Sequence, residues 1–160
     1  MRHILFGPVT LIGICLSLAA CAPAPTPAPA PVEKVQTDPT AEASYTQNVA
    51  QLVAMHREAA ALIDDKNAEE AGVIVTKAQP LMEQVLSVPK PTLGAMQAAS
   101  DLDELYGHML LTNRHYGYAR LLFQKNIARW KNWSPQTEET ARRIKLAAAA
   151  MAECDRHIAE

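Results

Sequence analysis

Alternating proline divides this chain before any other pattern does. Residues 22–40 read APAPTPAPAPVEKVQTDPT and hold six of the eleven prolines. Each proline fixes φ and removes a backbone donor, so the stretch can neither continue a helix nor pair inside a sheet. It predicts an extended polyproline II spacer of roughly 3.1 Å per residue, on the order of 60 Å in all. A core has to be built from residues 41–160, enough for one domain of ordinary size.

From Asp38 onward the apolar residues recur with a period near 3.6, and strand signals are almost absent. Asp38 followed by Pro39 is a helix start, with the proline at the first helical position. The first helix then carries Tyr45, Val49, Leu52, His56, Ala59 and Ile63 on one face. Asn67 to Glu70 resembles a capping box, and the second helix carries Ala71, Ile74, Val75, Ala78, Met82 and Val85 as its apolar stripe, with Pro80 opposite. A third shows Leu102, Leu105, Tyr106, Met109 and Leu110. A turn at Asn113 to His115 leads to a fourth with Tyr116, Ala119, Phe123, Ile127 and Trp130. Ser134 and Pro135 predict the start of a fifth, with Ile144, Ala147, Ala148, Met151, Cys154 and Ile158 inward. The expectation is an all-α domain of about five antiparallel helices.

Charge is nearly balanced, 15 Lys and Arg against 17 Asp and Glu, which gives no basis for nucleic-acid binding. Its distribution is uneven. Residues 41–105 hold ten acidic and four basic residues, whereas 114–145 hold eight basic residues against Glu138 and Glu139. The basic stretch supplies Arg114, Arg120, Lys125, Arg129, Lys131, Trp133, Arg142 and Arg143 as candidates for an anionic partner. The same charges could instead pair with the acidic first half.

An apolar run from Ile4 closes at Leu18-Ala19-Ala20-Cys21, behind Arg2. It is marginal as a permanent membrane span, which takes roughly 20 apolar residues. The four closing residues resemble the lipobox of bacterial lipoproteins. That resemblance implies a signal peptide over 1–20, cleavage before Cys21, and a lipid on its thiol. The mature chain would then be a lipid-anchored linker over 21–40 and a helical domain over 41–160. Ala22, rather than aspartate, follows the cysteine, and by the same resemblance the address is the outer membrane, facing the periplasm. Cys15 would leave with the signal, so only Cys154 would remain unmodified and no internal disulfide could form.

The third and fourth helices also resemble a tetratricopeptide-repeat hairpin, through Gly107, Ala119 and Phe123 at that family's spacing. Asp103, Leu110 and Lys131 depart from its Trp, Tyr and Pro, and no second copy stands 34 residues away. Either a tetratricopeptide-like stack or an irregular helical bundle fits. The resemblance implies a groove lined by Asp101, Glu104, His108, Leu111 and Thr112, without the basic clamp some members carry.

No HExxH, CxxC, GxSxG or Gly-rich phosphate loop occurs, so the reading names no catalytic residue, metal or cofactor. His56 reads as a core histidine hydrogen-bonded to a buried partner. Asp101, Asp103 and Glu104 read as helix-start acids favouring the dipole. Two functions are expected: a membrane-tethered helical adaptor for an envelope protein, or a structural lipoprotein whose basic face holds cell-wall or lipid anions.

Overall fold

A computed structural model describes residues 38–160; the expected signal peptide, Cys21 and the Ala-Pro stretch lie outside them. The fold is all-α. After a 3-10 turn at Pro39–Ala41 come α1 (Ala43–Asp64), α2 (Ala68–Leu86), α3 (Leu93–Thr112), α4 (Tyr116–Asn132) and α5 (Glu138–Ile158). No strand occurs among the described residues.

Side-chain caps open the 3-10 turn, α2, α3 and α5, whereas α1 and α4 start without one. Asp38 accepts from the Thr40 backbone, Asn67 from Glu70, and Thr92 from Ala95. The fifth helix starts later than Ser134-Pro135 suggests. Thr137 caps it, taking the Thr140 N–H on its hydroxyl at 3.2 Å while Thr140 Oγ1 accepts the Thr137 N–H at 2.8 Å. That reciprocal pair satisfies two end donors, which a lone serine cannot do. The Gln136 amide meanwhile donates to the Trp130 carbonyl at 2.9 Å and so caps the end of α4.

The α1–α2 and α3–α4 turns are the same object. Asn67 N–H reaches the Leu62 carbonyl at 2.7 Å and Lys66 N–H the Ile63 carbonyl at 3.0 Å; His115 reaches Leu110 at 2.8 Å and Arg114 reaches Leu111 at 3.0 Å. Lys66 and Arg114 hold φ of 61° and 62°, the left-handed residue of a Schellman motif. The two turns are 48 positions apart, and the core follows the same offset. Buried Ala59, Ala71, Val75, Ala78 and Met82 recur as buried Gly107, Ala119, Phe123, Asn126 and Trp130. The chain therefore does contain a second copy of its hairpin. It stands 48 residues away, because α2 and α3, of 19 and 20 residues, and the connection at 87–92 lie between the two turns.

Helix α3 touches all four others. Its buried positions are accordingly small or polar: Ala95, Ala98, Ala99, Ser100, Asp103 and Gly107, with Leu102. Small residues let neighbours approach closely from several sides. The larger Leu105, Tyr106, Met109 and Leu110 are only half-buried, and fill the margins.

One apolar core joins α1, α2 and α3 around Leu52, Val75, Met82 and Leu102; another joins α4 and α5 around Phe123, Ala147 and Cys154. A polar seam on α3 and α4 accompanies them. Trp130 Nε1 donates to Ser100 Oγ at 2.8 Å, and Asn126 Nδ2 to the Ser100 carbonyl at 3.0 Å. Fully buried Asp103 takes Arg129 at 2.6 Å and Lys125 at 3.2 Å. Asp103 and its neighbours are thus interior to α3, which begins at Leu93, and not a helix-start cluster. No buried side-chain polar atom among the described residues lacks a partner, as a stable interior requires.

Candidate functional site

Helices α1, α3 and α5 together line a groove of about 420 Å³. His56 comes from α1; Asp101, Glu104, Leu105 and His108 from α3; Arg142, Arg143 and Leu146 from α5. Three groove residues expected from the sequence, Asp101, Glu104 and His108, therefore do share one surface. Positions 101, 104 and 108 fall on one helix face because steps of three and four nearly complete a turn. Thr112 lines a smaller depression beside it, with Ile63 and His108. Leu111 belongs elsewhere, since it packs against the α4–α5 core.

The groove does contain basic groups, contrary to the sequence expectation, because α5 lies beside α3. Arg143, 12% exposed, donates to Asp101 at 2.6 Å and to Glu139 at 2.7 Å. Its guanidinium also lies 5.1 Å from the centre of the Trp130 ring, a cation–π contact. Arg142 grips Glu139 through both carboxylate oxygens, at 2.7 and 2.8 Å. Those bonds from Arg142, then Arg143, hold the Glu139 carboxyl down to about 2 from its ordinary 4.5. Glu104 is half-buried and free of any ion pair among the described residues. His56 is half-buried at the groove wall, not enclosed in the core. The His108 ring meets Phe123 edge-on at 5.1 Å between centroids.

A depressed carboxyl stabilises the fold at pH values where it is ionised in both states, and that contribution disappears below the folded value. Exchanging Glu139 for glutamine should therefore lower the thermal midpoint by a constant amount above pH 4.5. The gap should shrink as pH falls and close near pH 2, the folded value of Glu139. Thermal melts followed by circular dichroism from pH 7 to pH 2 read the gap directly. A gap of unchanged size at pH 2 would mean that charge on Glu139 is not what it contributes.

The other basic candidates do not gather on one surface. Arg120 pairs with Asp155 on α5, whereas Arg129 and Lys125 turn to Asp103 on α3. At 100° per residue, positions 120 and 129 point to opposite sides of α4. Five of the seven candidate cations are thus engaged inside the domain, with Asp101, Asp103, Glu139 and Asp155. Arg114 and Lys131 are exposed and unpaired among the described residues, near opposite ends of α4, and Trp133 is half-buried as the α4 C-cap. Segment charge misled here because it says nothing of where each side chain points.

Burial pushes the Cys154 thiol up, away from the reactive thiolate. Among the described residues no group of three His, Cys, Asp or Glu is placed to hold a metal, and no helix is long and apolar enough to cross a membrane. Compared with protein-family models, curated proteins and solved structures, the chain matches none.

Proposed function

We propose that this protein is a lipid-anchored envelope adaptor. In this reading Cys21 carries the lipid, residues 21–40 space the domain from the membrane, and the α1–α3–α5 groove takes a segment of an envelope protein. The observation that carries it is the groove itself: three helices from successive units, both charge signs, and apolar Leu105 and Leu146 between them. Fixed charges of both signs beside two apolar side chains suit a partner segment that carries charge and one apolar anchor. Two acyl chains on one cysteine make stable anchoring, where one chain is marginal. The alternative reading, a basic face for cell-wall or lipid anions, is weakened by the ion pairs that occupy Arg120, Lys125, Arg129, Arg142 and Arg143.

Two substitutions separate the anchor from the groove. Cys21→Ser should abolish lipid labelling and move the chain from the detergent phase to the aqueous phase. Leu146, 44% exposed, can accept a charge without disturbing the core. Leu146→Glu should keep the anchor and helicity but weaken co-purification of one stoichiometric envelope protein about tenfold. Wild-type chain in the aqueous phase would overturn the anchor; unchanged co-purification by Leu146→Glu would overturn the groove.

A further inference from the structure

The two hairpin turns share one backbone and carry opposite chemistry on their outer faces. On the first stand Asp64, Asp65, Glu69 and Glu70, all exposed and none in an ion pair among the described residues. Their equivalents 48 positions on are Thr112, Asn113, Gly117 and Tyr118, which bear no charge. Each turn keeps one cation, Lys66 or Arg114, so the first end is net acidic and the second is not. One helical turn further along, each face exposes an aliphatic residue: Val73 at 48% on α2 and Leu121 at 59% on α4.

The second face is also hollowed. Tyr118, 70% exposed, and Leu121 stand over two adjoining depressions of about 480 and 660 Å³. Tyr106, Leu110 and Leu122 wall the first; Arg114, Arg120 and Ile158 wall the second, and neither has a carboxylate in its lining. Contiguous exposed apolar surface of this kind marks a contact site on an otherwise polar molecule.

We propose that this hollow receives the α2 face of a second copy of this chain. Glu69 and Glu70 of one copy meet the unpaired Arg114 and the hydroxyl of Tyr118 in the next, while Val73 enters the apolar hollow at Leu121. The choice of occupant rests on charge and shape together. The α2 face offers carboxylates followed, one turn on, by a single aliphatic side chain, and the α4 face lacks carboxylates and has an apolar recess. Like faces do not match: α2 on α2 would oppose acidic residues, and unlike pairing removes that repulsion. The contact is heterologous, joining two different patches, so it leaves a free face on each end and extends beyond a dimer unless something caps it. It uses neither the inner groove nor the lipid.

The test uses the full chain in cells, with two tagged copies expressed together and a membrane-permeant oxidant added. One copy carries Val73→Cys and the other Leu121→Cys; a disulfide forms only where the two Cα atoms come within about 7 Å. The mixed dimer should exceed that of a Val73→Cys and Ala54→Cys pair about tenfold, Ala54 being exposed on α1. Adding Arg114→Asn and Tyr118→Glu to the Leu121→Cys copy should return the yield to the control level. Both replacements suit their sites, asparagine because it tolerates positive φ and glutamate because it favours a first helical turn. Unchanged circular dichroism of that variant verifies its fold. A mixed dimer no greater than the control overturns the proposal. So do Val73→Cys dimers forming equally well alone, or adducts of the Leu121→Cys copy to another protein only.

Discussion

Replacing Asp103 with alanine should cost about 3–5 kcal/mol of folding stability, the range for breaking a buried ion pair by removing one partner. Asp103 is fully buried, and the Arg129 that it holds at 2.6 Å is 6% exposed. Truncating the carboxylate leaves that guanidinium without a counter-charge and without water. The charge is not required for the fold as such. Converting the pair together, Asp103→Leu with Arg129→Met, removes both desolvation penalties, and such exchanges are often neutral or stabilising. The double variant should therefore recover part of the loss, the rest being the buried Asn126 oxygen that gives up its Arg129 donor. Urea midpoints of the four proteins in the cycle give the coupling directly. Additive losses would mean that the two side chains act independently, against the geometry.

Phe123→Ala should be as severe, again about 3–5 kcal/mol for a buried ring. The ring is fully buried on α4, and its seat on α3 is Gly107, where an added Cβ would lie 2.8 Å from two ring carbons. Gly107→Ala gains roughly 0.5–1 kcal/mol of helix propensity but forces an overpacked contact costing about 1–3 kcal/mol. Its expected effect is thus a modest net loss. The first hairpin has Ala59 and Val75 at these two positions, both fully buried. Phe123→Val alone should leave a void, and Gly107→Ala with Phe123→Val should partly refill it. The double variant should then be more stable than Phe123→Val alone, by thermal or urea midpoint. The opposite order would mean that the two hairpins do not share one packing rule.

These two sites also mark what could be read from the residues. Gly107, Ala119 and Phe123 were recognisable as a packed hairpin because their spacing is local. Caps at Asp38 and Asn67 and the turn at Asn113 to His115 were legible for the same reason. The start of α5 was not, because Ser134-Pro135 has the form of a start while Thr137 and Thr140, which make the reciprocal cap, lack the usual glutamate. The repeat stayed hidden because a 34-residue spacing was expected, and at 48 only residue size and burial recur, as with Ala59 and Gly107. Asp103 looked like an acid at a helix start until the beginning of α3 at Leu93 put it mid-helix, with Arg129 opposite. Arg142 and Arg143 reached the groove only through the placing of α5 beside α3, a tertiary fact that no local pattern encodes. Three of the eight groove residues, Asp101, Glu104 and His108, were available, through the resemblance to a repeat hairpin.

Photo-crosslinking from inside the groove asks whether a single envelope protein occupies it. A photoreactive residue is placed at Leu146 or at His108 on the groove wall, and separately at Glu83, exposed on α2. The full chain is then irradiated in living cells. Leu146 and His108 should give one and the same protein adduct, and Glu83 none. No adduct from either groove position, or an equal adduct from Glu83, would contradict that occupancy.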